Sequence, residues 1–558
     1  MSRHTRAARA MVAQAHLSPR RGKISTIYPL LGCLVLASSI VLANPTPESG
    51  TDHPPASASE PGFVLRSVHF DGGNQLPNHG LDAIIEPFLN QWTTLAEVEE
   101  LRYRLTKHHV DQGYTNSGVV LVPNQIITDG VLQFRVIAGR LQEVRVSGQG
   151  RLHPDYVRRR IHREPDAVFN RFELQERFQL LLQDKLIDQI HGTLQPGDGP
   201  GTAILDLAVT PARTWEVYLR TDNARPPSTG AERGYIGGTL RNLTRWGDEL
   251  DLYIGLGYEG QGKEGGIDWS IPLNARGTRF SIGYERSDAA LIEELLRELD
   301  INSETQRAEV ALAHPLWHNL RSSLELGLML SWAENTTTLL GEPFSFSLGA
   351  VSGESRVAAT RLFVNYAWGS DRQAFALYSQ FSLGIDALDA TIHSNGWPDS
   401  DFFSWLGQVQ YVRNLTDKGT QLILRGAAQF SNDTLLPLER FAVGGLYTVR
   451  GYRENTLVGD QGYAATLELR YPLWQGQGFA QTDQSLQLAV FTDVGSVWDH
   501  ARYRERQTLA SVGFGLLWTM AERLRAEFYY GHALEKIDEA SEDDLQDRGF
   551  HFLVQVDF

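Results

Sequence analysis

The sequence has little of what a disulfide-bonded, helical-membrane or nucleic-acid-binding protein needs. Its 558 residues include a single cysteine, Cys33, so no disulfide can form within the chain. Beyond residue 43 no apolar run has the length of about 20 residues that a membrane-spanning helix requires. The 67 acidic residues outnumber the 51 basic ones, and the formal charge is -16. We expect no nucleic-acid partner, because the positive charge that neutralises phosphates is missing.

Motifs typical of enzyme active sites are also missing. The sequence contains neither HExxH nor GxSxG. Residues 255–260, GLGYEG, match a dinucleotide-binding fingerprint, but no helix follows them, so we interpret these glycines as strand glycines. Gly262-Lys263 lacks the Ser or Thr of a phosphate loop, and we interpret His108-His109 as an exposed pair on a helix. The sequence therefore predicts no catalytic residue, no metal site and no cofactor.

The first 43 residues have the order of a secretory signal peptide. Six basic residues and no acidic residue accompany an apolar run over 24–42, which ends in the small residue Ala43. Cleavage there would remove Cys33 and six positive charges, which changes the net charge from -16 to -22. A retained membrane anchor and a lipoprotein signal at Cys33 are the alternatives. Residues 44–62, rich in Pro, Ser, Gly and acid, predict a flexible linker.

A mixed pattern of strands and helices then occurs twice, over residues 63–139 and 140–211. In the first copy Thr94 and Glu97 form a capping box that opens a helix, and in the second copy Asn170 is in position to cap one. The predicted order in both copies is strand, helix, helix, strand, strand. The segments are FVLRSVHF, LDAIIEPFLN, the helix from Thr94 to Gly113, SGVVLV and VLQFRVIAG, then 141–146, HPDYVRRRIH, FELQERFQLLLQDK, 187–194 and 202–209. Two small α+β domains are the simplest interpretation.

From residue 212 to residue 558, alternation of apolar and polar residues replaces the helical pattern. We count about sixteen alternating runs, each near the length that a tilted strand needs to cross a membrane. Examples are 215–223, 248–258, 265–273, 278–286, 359–368, 421–430 and 464–471. In the last strand one face carries only apolar residues, as contact with lipid requires. These are Phe550, Phe552, Val554, Val556 and Phe558.

The connections between these runs alternate between short and long. Tight turns such as TRWGD and NARG are followed by long polar segments at 287–303, 333–354, 431–460 and 533–548. Short periplasmic turns and long outer loops are typical of outer-membrane barrels. The pattern therefore favours a transmembrane β-barrel over a soluble β-sandwich or propeller.

One arginine and one aspartate stand where a barrel could bring them together. Arg450 lies in the segment VRGY of the long loop 431–460, and Asp493 lies in the strand FTDVG about forty residues later. Alternate residues of a strand share a face, so Phe491, Asp493 and Gly495 point to one side, which we predict to be the lumen. We expect a charge-assisted bond between Arg450 and Asp493.

We predict that water surrounds the Arg450–Asp493 pair. Inward-facing polar residues such as Glu468, Arg470 and Gln487 suit a hydrated lumen, and we interpret them as solvated wall. Water would reduce the strength of the Arg450–Asp493 pair towards the ~1 kcal/mol of exposed pairs. The position of the loop, rather than the stability of the barrel, should then depend on the pair.

These motifs, in this order and spacing, resemble the TpsB transporters of two-partner secretion. The resemblance covers nearly everything after residue 62. The matching N-terminal residues are Gly113-Tyr114, Pro123, Gln125, Gly130, Leu132 and Gly139-Arg140-Leu141. The matching barrel segments are Asn242 with Gly247-Asp248, RFAVGG at 440–445 leading into VRGY, LELRYPL at 467–473, and FTDVG. The sequence departs from well-known members in showing no plug helix before the first module.

The resemblance implies two periplasmic α+β POTRA domains, 63–139 and 140–211, followed by a 16-stranded antiparallel barrel in the outer membrane. Loop 431–460 would fold back into the barrel. Gly451 would allow its sharp bend, and Phe491 and Tyr452 would pack beside the ion pair. The resemblance thus implies that the loop and the barrel contact each other through six residues: Arg450, Asp493, Gly451, Tyr452, Phe491 and Gly495.

The implied function is export of an unfolded partner exoprotein, of the large β-helical adhesin or cytolysin type, without nucleotide hydrolysis. The exoprotein would add as a strand to a sheet edge of the POTRA domains. Candidate edge residues are Val119, Val120, Leu121 and Ile190. Outer-membrane lipid and the barrel assembly machinery, the latter through the strand ending at Phe558, are further predicted partners. Alternatively, the modules only brace the barrel.

Two other functions are possible interpretations of a membrane barrel. An assembly factor that inserts other barrels shares the superfamily architecture, but two modules rather than a longer periplasmic array favour secretion. A passive diffusion porin has no need for periplasmic modules.

Overall fold

The computed structural model describes residues 61–558 apart from several short segments. The segments left out are 73–75, 78, 163–166, 259–261, 293–298, 478–481, 501–505, 522 and 538–543. The predicted signal peptide, 1–43, and nearly all of the predicted linker, 44–62, lie outside the described residues. Among the helices of the described part, none is both long and apolar enough to cross a membrane.

The first α+β unit packs two helices against a three-stranded sheet. Its elements are β1 (Gly62–Leu65), β2 (Ser67–Asp71), α1 (Leu81–Ile85) with a 3₁₀ turn over Glu86–Phe88, β3 (Gln91–Thr94), α2 (Leu95–Asp111), β4 (Gly118–Leu121) and β5 (Val131–Ile137). The strand order is β2-β5-β4, with β2 parallel to β5, while β1 pairs with β3. Leu101, Leu105 and Phe134 form the centre of the core. The predicted capping box at Thr94 is present.

Two details of this unit differ from the prediction. The segment FVLRSVHF forms two strands instead of one, because Leu65 pairs with β3 whereas Ser67 begins the pairing with β5. The change of partner occurs where the amides of Arg66 and Ser67 both donate to the carbonyl of Gly130. Strand β3 has only four residues and no clear alternation, so no sequence pattern predicts it.

The second unit has the same sheet arrangement. Its elements are β6 (Arg140–Ser147), α3 (Pro154–Ile161), α4 (Arg171–Leu182), β7 (Ile187–Pro196) and β8 (Thr202–Pro211), and the strand order is β6-β8-β7. Asn170 caps α4 by accepting a hydrogen bond from the amide of Phe172 at 2.8 Å. The same side chain donates to the carbonyl of Gln112 in the first unit at 3.1 Å. One residue therefore both starts a helix and joins the two units.

The remaining chain forms a closed barrel of sixteen antiparallel strands, as the sequence predicted. In chain order the strands are β9 (Trp215–Asp222), β10 (Arg233–Arg241), β11 (Glu249–Gly257), β12 (Lys263–Pro272), β13 (Arg279–Ala290), β14 (Asn302–His318), β15 (Ser322–Leu339), the two-residue side strand β16 (Glu342–Pro343), β17 (Glu354–Gly369), β18 (Gln373–Gly384), β19 (Phe403–Asn414), β20 (Gln421–Ser431), the loop strands β21 (Phe441–Val443) and β22 (Leu457–Gly459), then β23 (Gln461–Gln477), β24 (Asp483–Trp498), β25 (Gln507–Met520), β26 (Leu524–Ala533) and β27 (Phe550–Asp557). Strand β27 pairs with β9 and closes the barrel.

The outer face of the barrel is apolar and the inner face is packed. Along β24, Val490 is 54% exposed, whereas its neighbour Phe491 is 3% exposed and Asp493 is 1% exposed. Large apolar side chains such as Ile254 and Phe514 are exposed on the same outer surface. This alternation is what a wall between lipid and a filled lumen requires.

The second unit docks on the turn between β10 and β11. The ring of His153 stacks on Trp246 with centroids 4.2 Å apart. The amide of His153 donates to the carbonyl of Arg245, and the Arg245 side chain donates back to the carbonyl of Arg151. Lys185 adds an ion pair to Glu249. These contacts join the second α+β unit to the barrel.

Candidate functional site

The segment between β20 and β23, residues 432–460, lies inside the barrel. Five of its buried apolar residues form one cluster with inward-facing residues of the wall, while Leu446 belongs to a second cluster and Leu435 and Leu436 to a third. The members from the loop are Phe441, Val443, Val449, Tyr452 and Leu457, and those from the wall include Met329, Phe363, Tyr378, Leu406 and Leu509. We call this segment the lumen loop. It is a packed part of the interior because its apolar side chains contact those of the wall.

Glycines shape the tip of the lumen loop. Strands β21 and β22 form a hairpin, and Gly444 and Gly445 in it have φ angles of 114° and 93°. Gly451 has a φ of 93°, and a Cβ added there would lie 2.7 Å from the carbonyl oxygen of Gly531. Only glycine fits this position without strain. Its amide donates to Nε2 of His551 on the last strand at 3.0 Å.

Arg450 binds Asp493 through three hydrogen bonds. Its Nε lies 2.8 Å from Oδ2 and its Nη2 lies 2.9 Å from Oδ1. The backbone amide of Arg450 also donates to Oδ2 at 3.1 Å. Both side chains are almost fully buried. A bidentate pair of this kind fixes the orientation of the guanidinium group as well as its position.

A second carboxylate completes the site, and the sequence analysis missed its role. Nη1 of Arg450 donates to Oε2 of Glu468 at 2.6 Å, and Nε of Arg470 donates to Oε1 of Glu468 at 2.6 Å. Glu468 is 0% exposed and Arg470 is 4% exposed. The interpretation of these two residues as solvated wall was wrong, because the lumen loop displaces water from this part of the barrel. Gln487 is half-buried.

The burial changes the expected strength of the site. Breaking a buried pair by removing one partner costs about 3–5 kcal/mol, rather than the ~1 kcal/mol expected for a pair in water. The inward orientation of Glu468, which the sequence analysis predicted, agrees with the strand register. Glu468 pairs with Phe491 across β23 and β24, so it shares the inner face with Asp493.

The other residues of the predicted contact take different roles. The guanidinium carbon of Arg450 lies 3.5 Å from the ring centroid of Phe491 and 4.7 Å from that of Tyr529. Tyr452 was expected beside the pair, but it belongs to the lumen-loop cluster, and its hydroxyl lies 2.9 Å from the carbonyl oxygen of Ala510. The preference is physical, because a tyrosine hydroxyl needs a polar partner when its ring is buried.

Gly495 leaves room for the lumen loop. A Cβ added at Gly495 would lie 2.8 Å from Cγ2 of Val449 and 3.1 Å from Cγ1 of Val443. Gly495 therefore allows the loop to approach β24 closely.

The tip also contacts the last outer loop and the barrel seam. Arg453 forms an ion pair with Asp547, with Nη2 and Oδ2 2.8 Å apart. The amide of Glu454 donates to the side chain of Gln546, which itself donates to the carbonyl of Asn223 at 2.6 Å. The sequence analysis did not identify these residues, because nothing in their local pattern distinguishes them from ordinary loop polar groups.

The candidate edge residues lie on edge strands, but the two edges differ. Strand β4 is at the edge of the first sheet, and its Val119 is engaged by helix α2, since the Val119 amide donates to Oγ1 of Thr106 at 3.1 Å. Val120 is exposed and Leu121 is half-buried. Strand β7, which carries Ile190, is the edge of the second sheet. Within the described residues it pairs with β8 alone, so its outer edge is open.

One histidine of the predicted exposed pair is buried. His109 is 0% exposed, and its two ring nitrogens have no hydrogen-bond partner among the described residues. The interpretation was wrong because Leu101, Leu105 and His109 recur every four residues and share the buried face of α2. The described part of the chain holds no cluster of three or more His, Cys, Asp or Glu side chains suited to a metal ion.

Comparison with known proteins supplies the family. The model of the family described as haemolysin secretion/activation protein ShlB/FhaC/HecB matches residues 201–517, and that of the ShlB-type POTRA domain matches residues 63–139. The outer membrane transporter CdiB of Dickeya dadantii is 22% identical over 428 residues, covering 74% of this chain and 73% of the relative. The heme/hemopexin transporter protein HuxB of Haemophilus influenzae is 22% identical over 474 residues, covering 81% and 80%.

A solved structure shows the same fold. CdiB from Escherichia coli superposes with a TM-score of 0.69 at 20% sequence identity, covering 91% of this chain and 93% of that chain. The barrel lies in the outer membrane, and its POTRA domains lie in the periplasm. The family match extends from the last strand of the second periplasmic unit into β25 and includes the whole lumen loop. The chain therefore belongs to the haemolysin secretion/activation family ShlB/FhaC/HecB, the TpsB transporters of two-partner secretion.

Proposed function

We propose that the protein exports one large partner exoprotein of the β-helical adhesin or cytolysin type from the periplasm to the cell surface. The observation that carries this proposal is the lumen loop, which a buried arginine and two carboxylates hold inside a barrel that also bears two periplasmic domains. A passive porin needs an open, water-filled channel, whereas a buried loop occupies much of this interior. No nucleotide hydrolysis is part of the proposed mechanism.

The exoprotein first meets the POTRA domains. A β-strand can add to an open sheet edge through backbone hydrogen bonds, with little demand on side-chain identity. We place this contact at β7 around Ile190, because this ten-residue strand pairs with β8 alone within the described part of the chain. At β4, Thr106 holds the outward backbone groups of Val119, so Val119, Val120 and Leu121 form a second site that requires this contact to release.

The exoprotein then passes through the lumen by displacing the tip of the lumen loop. A cavity of about 920 Å³ remains beside the loop, lined by apolar residues together with polar and charged ones that include Arg233, Gln410 and Arg425. Folding of the exoprotein outside the cell would bias its motion outward. In this mechanism Arg450, Asp493 and Glu468 set the energy needed to move the tip.

Two further partners follow from the outer surface. The exposed apolar side chains on the outward faces of the strands would contact outer-membrane lipid. The final strand, β27, ends next to the exposed aromatic residue Phe558. We propose that the barrel assembly machinery recognises this strand during insertion.

The alternative is an assembly factor that inserts other barrels, and a gene deletion distinguishes the two. The proteins of the medium, the cell surface and the outer membrane are compared between the deletion strain and a complemented strain. We expect one large exoprotein to disappear from the medium and surface while other barrels keep their normal amounts. A general loss of barrels would instead support the assembly factor, and unchanged proteins in all three fractions would contradict the proposed function.

A further inference from the structure

A second buried ion pair holds the lumen loop at a different wall of the barrel. Glu439 lies in the lumen loop eleven residues before Arg450. Its carboxylate accepts two hydrogen bonds from Arg361 on β17, with Nη2–Oε1 at 2.6 Å and Nη1–Oε2 at 3.0 Å. The Arg361 and Glu439 side chains are 12% and 8% exposed. The contact is therefore bidentate and screened from bulk water.

The wall orients Arg361 towards the loop. Nε of Arg361 donates to the hydroxyl of Ser331 on β15 at 2.8 Å, and Nη1 donates to the hydroxyl of Ser382 on β18 at 2.9 Å. The strands on both sides of β17 thus hold the guanidinium group. Both hydroxyls are neutral, so Glu439 supplies the negative charge for a buried cation. A side chain fixed in this way is a preformed receptor for a carboxylate.

The part of the loop around Glu439 is fixed by further contacts. The side chain of Gln429 donates to the carbonyls of Glu439, at 2.8 Å, and Asp460, at 3.1 Å, and so links the segment around Glu439 to the end of the loop. Leu435 and Leu436 are buried in a cluster with residues of β17. We call residues 433–443 the descending limb of the lumen loop. Its contacts at Leu435, Leu436 and Glu439 lie on the β17 side, whereas Arg440 pairs with Asp499 and Val443 lies close to Gly495 on β24.

The tip of the loop is held elsewhere. Arg450 contacts Asp493 on β24 and Glu468 on β23, so its ion pairs use strands other than those that hold Glu439. Gly444 and Gly445, both with positive φ, lie between the two anchors. Glycine adopts many backbone conformations at little cost, so this pair is a suitable hinge.

We propose that Arg361 and Glu439 are positioning residues that keep the descending limb at the wall when the tip detaches. Displacement of the tip then opens the lumen while the rest of the loop stays in place and can guide the tip back. The inference rests on the proposed function only for the claim that a passing exoprotein displaces the tip. The two-anchor arrangement itself is tested on the purified protein.

The experiment measures backbone hydrogen exchange of the full-length protein in detergent. In Glu439→Gln we expect exchange of residues 433–443 to become at least tenfold faster, while residues 449–453 exchange as in the wild type. Arg450→Ala should show the reverse. Arg356→Gln is the matched control, since Arg356 lies on the same strand and pairs with Glu334 and Glu354 at a partly exposed position. It should leave both segments unchanged.

Two further variants separate anchoring from general stability. Glu439→Asp keeps the charge but shortens the reach, so its exchange over 433–443 should lie between that of the wild type and that of Glu439→Gln. The double charge exchange of Arg361→Glu with Glu439→Arg should restore at least part of the protection that each single change removes.

Unchanged exchange of residues 433–443 in both Glu439→Gln and Glu439→Asp would overturn the proposal. Equal release of both segments by either anchor variant would also overturn it, because the loop would then move as one body. These outcomes are independent of any exoprotein. A failure of the proposed function would show instead in the gene deletion, as unchanged export.

Discussion

Arg450 and Glu468 are joined by a hydrogen bond of 2.6 Å between Nη1 and Oε2, in addition to the bonds that Arg450 makes with Asp493. The tip of the lumen loop is therefore bound to two adjacent strands, β23 and β24, through one guanidinium group. This arrangement makes the position of the tip sensitive to each of the three side chains.

Replacing Arg450 should disable export without unfolding the barrel. Arg450→Ala leaves two buried carboxylates without their shared cation, at a cost of about 3–5 kcal/mol that falls on the loop. The wall is held by its own backbone ladder, so we expect normal insertion and a fall in export of at least tenfold. Heat-dependent gel migration measures the folded barrel, and exoprotein in the medium measures export. Full export by a folded variant would remove Arg450 from the mechanism.

The two carboxylates should differ in importance. Asp493 accepts three hydrogen bonds from Arg450, and Glu468 accepts one. We therefore expect Asp493→Asn to reduce export more strongly than Glu468→Gln at equal barrel levels. The comparison is quantitative export from strains that express each variant to the same amount. An equal effect of the two changes would contradict this ranking, and the opposite order would show that Glu468 is the more important partner of Arg450.

A side chain at Gly451 should displace the tip. Gly451→Ala places a Cβ against the backbone of Gly531 and forces an L-residue to a φ of 93°, which alone costs about 1–2 kcal/mol. We expect reduced export and faster hydrogen exchange over 449–453. Gly234→Ala on β10 is the control, since no atom lies within 4 Å of its added Cβ. Identical behaviour of the two variants would show that the close approach at Gly451 is not needed.

The first POTRA domain should lose stability in acid through His109. Burial lowers the pKa of His109 below its ordinary value of 6.5, and neighbouring His108 lowers it further. The unfolded domain binds a proton as the pH falls below 6.5, while the folded domain does not, so stability decreases over that range. We expect faster exchange of α2 at pH 5.5 than at pH 7.5, after correction for the intrinsic rate. His109→Leu should remove the difference, and an unchanged difference would assign it to other groups.

The exoprotein should contact the open edge of β7 in preference to the edge of β4. Photo-crosslinking side chains placed at His191 on β7 and at Val120 on β4, both exposed, report these contacts in cells that export the exoprotein. We expect stronger crosslinks from His191. Thr106→Val removes the hydroxyl that binds Val119 and should increase crosslinking from Val120. Crosslinks from Val120 alone would place the contact on the first domain.

Local pattern was sufficient to predict most of the fold. Alternation gave the strands of the barrel, and a capping box gave helix α2, because both signals depend on residues close in sequence. The pairing of Arg450 with Asp493 could also be predicted from the sequence, since strand periodicity places Asp493 on the inner face.

Contacts that depend on how the loop fills the lumen could not be predicted from the sequence. Glu468 was assigned to solvated wall because the sequence does not show how much water remains inside. Arg361 and Glu439 are 78 residues apart in the chain, and they meet because the lumen loop folds back inside the barrel against β17. The exposure of His109 was predicted wrongly. Its polarity suggested an exposed side chain, whereas its position on the apolar face of helix α2 determines that it is buried.

The most direct test of the account is export with the tip of the loop locked in place. Cysteines at Val449 and Gly495, in a Cys33→Ser background, would form a disulfide between the tip and β24, because the Cβ position of Gly495 lies 2.8 Å from Cγ2 of Val449. Each single-cysteine variant is the control. We predict that the oxidised double variant stops exporting the exoprotein and that a reductant restores export. Undiminished export through the locked barrel would contradict the claim that the exoprotein passes by displacing the tip.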